Sequence, residues 1–358
     1  MRLQTTMIPS YVAEGEHVMR KVVNFCVLVM VAGPALVLGQ AGDVNKVLAD
    51  MRAALGGDKV AAVKTLTAVG RTQRTSQTGT TSESEMELAM ELPDKFVVRS
   101  VLANLGNMSV YRNAGFNGTG AINETETPPN LNGSGGMVMF RSAGSGAPGQ
   151  TQTPEQRAEQ DARLVLASKK DFARMTLGMF GSSYAAFPLE FTYAGQAEAG
   201  DGKAHVIQVK GPEGFDAKLF VDTRTNLPLM LSWSDREPLQ MTTISRGGGP
   251  GGATSVGPGQ TVQMGGSSFT AGGRSGQPPS EEELKKMMTE AAARQKEAEA
   301  NAKIVEYRMY YSNFKPVNGV NLPHTLQRSI DGKPTEETSF DAIKVNPKID
   351  SKKFTVTK

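Results

Sequence analysis

The stretch Glu83-Ser84-Glu85-Met86-Glu87-Leu88-Ala89-Met90-Glu91-Leu92 decides how this chain reads. From Met86 every second residue is apolar, and the residues between are Glu85, Glu87, Ala89 and Glu91. A period of two puts the apolar set on one face of a strand and the carboxylates on the other. Pro93-Asp94-Lys95 breaks the run, and Phe96-Val97-Val98-Arg99 begins another. The pattern predicts two antiparallel strands in a sheet with one dry and one wet face. If the dry face encloses a space rather than a filled core, Met86, Leu88, Met90 and Leu92 line it.

Upstream, Val44, Val47, Leu48, Met51 and Leu55 fall at helical spacing, and Gly56-Gly57 ends that helix. Asp58 is placed to cap a second short helix through Val63. Thr65 to Arg74 reads as a strand and Thr75 to Ser82 as a polar turn. Downstream, Met108 to Arg112 is a short strand that leads into the turn-rich Asn113 to Gly118. Pro128 to Gln150 reads as loop. Thr153-Pro154-Glu155-Gln156 is a capping box opening a helix to about Leu166, with a further helical piece from Lys170 to Met179. Phe187 to Asp235 returns to strands, in which Leu189, Phe191 and Tyr193 alternate.

Residues 247–279 are dominated by Gly and Pro, a composition that predicts disorder. Ser280-Glu281-Glu282-Glu283 then caps a charged helix to about Lys303. From Ile304 the strand pattern resumes. Asn318-Gly319 and Asp331-Gly332 mark hairpin turns, and Phe354 is placed to tuck a last hydrophobe onto the sheet. The expected organisation is a signal segment over 1–41, the first part of a β domain over 42–244, a linker over 245–279, an inserted helix over 280–303, and closing strands over 304–358.

The leader reading rests on Arg20-Lys21, the apolar run Val22 to Leu38, and the small residues around Gly39-Gln40-Ala41. Met19 is an alternative start. About 17 residues with a Gly-Pro break are short for a membrane span, which favours a cleaved leader and a periplasmic protein. An uncleaved inner-membrane anchor is the alternative. Cys26 is the only cysteine and lies inside this segment, so residues 42–358 hold no disulfide. The net charge is +3, and residues 1–41 carry three basic and two acidic residues, so +2 remains beyond them. Nucleic acid is excluded as an expected partner, because no basic stripe tracks phosphates.

No catalytic constellation is visible. His205 and His324 are far apart in sequence and lack a second ligand at metal spacing, so both read as structural. Gly133-Ser134-Gly135 and Gly144-Ser145-Gly146 lie in loop, not at a strand-to-helix elbow. The glycine runs do not open a βαβ unit, so they make no phosphate cradle. Glu83, Glu85, Glu87 and Glu91 share a strand face, which reads as solvated or as a gatherer of cations. Methionines such as Met86, Met90, Met175, Met179, Met230 and Met309 suit either an adaptable ligand cavity or a loosely packed core. Neither an enzyme nor a cofactor is expected.

Several local phrases carry a family resemblance. They are Leu92-Pro93-Asp94-Lys95-Phe96, Val221-Asp222-Thr223-Arg224-Thr225-Asn226-Leu227-Pro228, Val317-Asn318-Gly319-Val320-Asn321-Leu322-Pro323, and Ile343-Lys344-Val345-Asn346-Pro347-Lys348-Ile349-Asp350. Together with the order of elements over 43–240 and 304–356, the chain resembles the LolA-like family of outer-membrane lipoprotein-sorting and lipoprotein-carrier proteins. The resemblance implies an α+β fold: a mostly antiparallel, curved half-barrel sheet whose concave apolar face is covered by helices. It implies binding of a lipid or lipoprotein acyl chain there. A similar fold serves envelope-stress sensors that bind a regulatory protein partner, which is the alternative function. The Gly-rich segment and the 280–303 helix have no place in that pattern, and no family site residue maps onto this chain.

Overall fold

The computed structural model describes residues 43–75, 79–105, 108–126, 154–199, 202–237 and 300–356, with scattered positions between 290 and 298. The expected leader over 1–41, the expected loop from Pro128 to Gln150, the expected linker over 245–279 and most of the helix expected over 280–303 lie outside the described residues.

The chain opens with helix α1 (Val44–Leu55), capped by Asp43, whose side chain accepts from the Asn45 amide at 2.9 Å. Val47, Leu48, Met51 and Leu55 are its buried face. Gly56, at φ 129, ends it, and a Cβ there would lie 2.5 Å from the Gly319 carbonyl oxygen. Helix α2 (Asp58–Ala61) is shorter than expected, and Gly57 rather than Asp58 stands at its cap.

Strands β1 (Thr65–Thr75), β2 (Thr81–Glu91), β3 (Lys95–Leu105), β4 (Met108–Asn117) and β5 (Gly120–Glu126) form an antiparallel meander. Helix α3 (Pro154–Phe180) follows, then β6 (Glu190–Ala199), β7 (Gly202–Gly211), β8 (Phe215–Asp222), β9 (Pro228–Arg236), β10 (Ile304–Val317), β11 (Val320–Ile330) and β12 (Lys333–Val345). All twelve strands join one sheet in the order β5-β4-β3-β2-β1-β12-β11-β10-β9-β8-β7-β6. The chain therefore runs from the middle to one edge, crosses by α3, and returns from the other edge until β12 pairs with β1.

This order forces curvature. Twelve strands at about 4.8 Å spacing would span roughly 53 Å if flat. Helix α3 touches β4, β5, β9 and β11, and α1 touches α3, β6 and β11. Two adjoining helices, each about 10 Å across, reach both edge strands only if the sheet wraps around them. Strands β5 and β6 are not paired to each other, so the barrel stays open.

Three further sequence expectations differ from the structure. Asn113 to Gly118 is not mainly turn: Asn113 to Asn117 is the second half of β4, paired to β3 and β5. Gly115 lies there because a Cβ would stand 2.0 Å from the Phe96 carbonyl oxygen, so the glycine marks a close strand approach. The helical pieces to Leu166 and from Lys170 are one continuous α3. Between Leu166 and Phe172 its inner surface is covered by lysines: Lys169 Nζ lies 5.5 Å from the Phe116 ring centre, and Lys170 Nζ donates to the Glu213 carbonyl at 3.1 Å. The polar turn also shrinks, since β1 extends to Thr75 and β2 begins at Thr81. The hairpin turns hold, with Asn318 and Gly319 at φ 52 and 82, and Asp331 and Gly332 at 46 and 77.

Candidate functional site

The concave face begins with β2. Met86, Leu88 and Met90 are buried there, and Leu92 packs against the same core from the turn that follows. Across the ladder Met90 lies between Leu66 and Phe96, Leu88 between Ala68 and Val98, and Met86 between Gly70 and Ser100. These residues belong to one continuous apolar layer with Met51 and Leu55 of α1 and Met175, Leu177 and Met179 of α3. The layer extends through Met309 and Leu231 to Leu219 and Ile207 on the far side of the sheet. Met230, by alternation with Leu231, belongs to the opposite face.

Aromatic rings fix α3 over this floor. Phe172 meets Phe116 at 5.5 Å and 88°, Phe96 at 5.8 Å and 66°, and Tyr184 at 5.7 Å. Burial pushes the Tyr184 hydroxyl up to about 12. At its C-terminal end α3 meets β10, where Tyr311 donates to the Arg174 carbonyl at 2.7 Å and Gly178 leaves room for the Tyr311 ring. Burial also raises the Tyr311 hydroxyl well above the ordinary phenol range.

A polar seam crosses the same face. Thr72 and Thr338 share a buried hydroxyl contact of 2.9 Å. Next, Arg74 Nε donates to Glu336 at 2.8 Å. Arg174 and Arg328 both face Oδ1 of Asp171, at 3.0 and 3.5 Å. The Arg174 guanidinium stands 4.2 Å from the centre of the Trp233 ring, which stacks on Tyr307 at 5.4 Å and 9°. Burial lowers the Arg174 pKa from the usual arginine value, against the pull of Asp171. Burial works the same way on Arg328, but Asp171 and Glu336 outweigh it and hold that group above the usual value. Both remain cations at neutral pH.

Sequence reasoning missed this seam. The available signals were the three-residue spacing of Asp171 and Arg174 on a helix, and an arginine in phase with Leu322 and Leu326 on the inward side of β11.

Three of the four glutamates on the wet face of β2 face protein cations. Glu83 faces Arg71 at 3.4 Å, Glu87 faces Lys353 at 3.0 Å and Arg99 at 3.5 Å, and Glu91 faces Lys95 at 2.6 Å. Among the described residues no group of His, Cys, Asp and Glu is arranged to hold a metal ion. Ala89, which interrupts the glutamate row, is buried with Val97, Ile122 and Phe354. Phe354 closes the chain's final 3-10 turn (Ser351–Phe354) and lies on this outer face.

His205 and His324 are not brought together. They lie on β7 and β11, four strand spacings or about 19 Å apart along the sheet. His205 Nδ1 meets the Tyr193 hydroxyl at 3.1 Å, and buried His324 Nδ1 meets the Leu322 carbonyl at 3.0 Å. Among the described residues no helix is long and apolar enough to cross a membrane.

No protein-family model and no curated protein matches the chain. Among solved structures it is similar to a DUF1329 family protein from Desulfovibrio piger, at 7% identity and TM-score 0.40, covering 87% of this chain and 97% of that one. It is similar to a LolA superfamily protein from Nitrosomonas europaea, at 8% identity and TM-score 0.40, with the same coverage. A candidate outer membrane lipoprotein-sorting protein domain from Vibrio parahaemolyticus is similar at 7% identity and TM-score 0.37, over 86% of this chain and 94% of that one.

Proposed function

We propose that this protein is an exported, periplasmic binding protein that sequesters an apolar ligand, a lipid or lipoprotein acyl chain, between its sheet and its helices. The observation that carries the reading is how the concave face is closed. One apolar layer runs across the sheet from β5 to β7, and helices α1 and α3 cover it. Strand ladders hold the sheet, but side-chain packing holds the helices. Moving α3 therefore opens the layer without breaking a backbone ladder. Met86, Leu88, Met90 and Leu92 form the floor, and the methionines of β2, α1 and α3 adapt to chains of differing shape. Apolar burial of about 25 cal/mol per Å² supplies the affinity, and no covalent step is needed. Solvent extraction of the purified protein should release lipid, and native mass spectra should show a bound species. Apo mass alone, together with no lipid-dependent rise in Tm, would sink the reading.

A second reading, a non-enzymatic envelope module that binds a protein partner, is favoured by the placement of the insert. The insert leaves β9 and returns to its neighbour β10, and the Glu237 amide donates to the Lys303 carbonyl at 2.7 Å. Its two ends are thus held together, and residues 245–299 are replaceable by a short turn. That deletion should leave lipid binding intact. If it abolishes capture of an envelope protein instead, the second reading stands.

A further inference from the structure

The two inward arginines are under-used by the protein itself. The Arg174 side chain is only 11% exposed, and its Nε is buried without a hydrogen-bond partner. A buried unsatisfied donor is costly and calls for an explanation. Arg328 is 30% exposed and holds its carboxylates only at long range, 3.5 Å to Asp171 and 3.8 Å to Glu336. Glu336 is already taken at 2.8 Å by Arg74. Both guanidinia converge on one oxygen of Asp171, so that carboxylate is shared between two cations. The more distant Asp235 adds a Coulomb attraction on Arg174 alone. Around them lie Trp233, Tyr307 and Tyr311, all on the apolar layer. Spare cationic donors at the margin of an apolar floor match an amphiphile: an anion at one end and a hydrocarbon chain at the other.

We propose that Arg174 and Arg328 form the seat of an anionic headgroup, a carboxylate or a phosphate, whose acyl chain lies on the floor of β2. This rests on the apolar-ligand reading above. The anion completes the pair that Asp171 half-fills, using the unpartnered Arg174 Nε and the Arg328 guanidinium, whose own carboxylates stand no nearer than 3.5 and 3.8 Å. Arginine suits the task because its planar fork meets two oxygens at once.

Trp233 is the chain's single tryptophan, and the Arg174 guanidinium stands over it, so its emission reports directly on the seat. The test titrates the full chain with oleate, with methyl oleate and with inorganic phosphate, the lipids kept below their aggregation concentrations. Oleate should shift Trp233 emission and bind about ten-fold or more tighter than its uncharged ester, as expected for a charge-assisted hydrogen bond. In Arg328→Gln that preference should fall below about three-fold, with the ester's affinity unchanged. Arg328→Lys should keep part of it. Millimolar phosphate that shifts the emission and competes with oleate supports an anion seat open to free phosphate. Phosphate without effect, beside a strong oleate preference, supports a seat that takes its anion from a lipid.

Equal affinity for oleate and ester in the unmodified protein overturns the proposal. So does a full preference in Arg328→Gln. If phosphate binds and neither lipid does, the seat stands and the apolar-ligand reading fails. If none of the three binds, both fail.

Discussion

Replacing Gly178 by alanine sets two effects of known size against each other. In an exposed helix the change stabilises by about 1 kcal/mol, because glycine is the more flexible residue. Here a Cβ would stand 2.1 Å from Cε1 of Tyr311, 2.3 Å from Cδ1 and 2.5 Å from Cζ. The ring cannot step aside easily. It is 3% exposed, and its hydroxyl is tied to the Arg174 carbonyl at 2.7 Å. Overpacking of this kind costs about 1–3 kcal/mol. Losing the hydroxyl bond adds about 1 kcal/mol or more if the group stays buried. The clash wins, and the net effect is a loss of about 1–3 kcal/mol. In urea unfolding the midpoint should fall by on the order of 1 M at unchanged slope. Trp233 emission and far-ultraviolet circular dichroism should report coincident transitions. The same change in a Tyr311→Leu background should be neutral or stabilising, giving a strong coupling between the two positions. An unchanged or raised midpoint for Gly178→Ala alone would refute the close seating of α3 on β10.

Other outcomes follow from the faces of the sheet. Thr72→Val leaves the Thr338 hydroxyl buried and unpaired, so it should destabilise by about 1–3 kcal/mol, while Thr72→Val with Thr338→Val should cost less than the two single changes added together; denaturant midpoints decide this. Ala89→Glu completes the glutamate row but removes the seat of Phe354. It should cost about 2–3 kcal/mol, a limit set by release of the tail, and trypsin should then cut faster at Lys352 and Lys353. Arg99 and Asn113 hold Glu126 below the usual carboxylate range against the opposing effect of burial. A lowered folded value gives stability that is complete above the unfolded value of about 4.3 and lost as pH falls through the folded one. Glu126→Gln should therefore flatten the acid limb of a Tm-versus-pH curve, by less than about 1 kcal/mol because the pair is partly exposed. An unaltered acid limb would remove Glu126 from the account.

The strands were legible because their period is short and their neighbours are turns with a mechanism. Glu83 to Leu92 announced its two faces, and Asn318-Gly319 its hairpin. The order of strands was not legible, because the β1–β12 pairing joins residues more than 260 positions apart and no local pattern encodes it. The single α3 was hidden because lysine stems, not apolar residues, cover its middle turns. Asn113 to Asn117 was hidden because a glycine demanded by close strand approach looks, in sequence, like one demanded by a turn. The dry face of β2 was legible in Met86, Leu88 and Met90, while Leu92 packs on the core from the turn beyond the strand. The arginine seam was not, since it is assembled from β1, α3, β11 and β12, and each member alone resembles a surface charge. Ala89 is the reverse case: a visible irregularity whose reason, Phe354, lies more than 260 residues away.

The central claim is that the layer between the sheet and α3 takes an acyl chain. Its most direct test loads the protein with palmitate carrying a terminal photoreactive diazirine, irradiates, and maps the labelled peptides. The account predicts label on the peptide holding Met86, Leu88, Met90 and Leu92 and on the C-terminal half of α3, with unlabelled palmitate competing it away. Label confined to the outer face around Phe354, or label that excess palmitate does not displace, would contradict it.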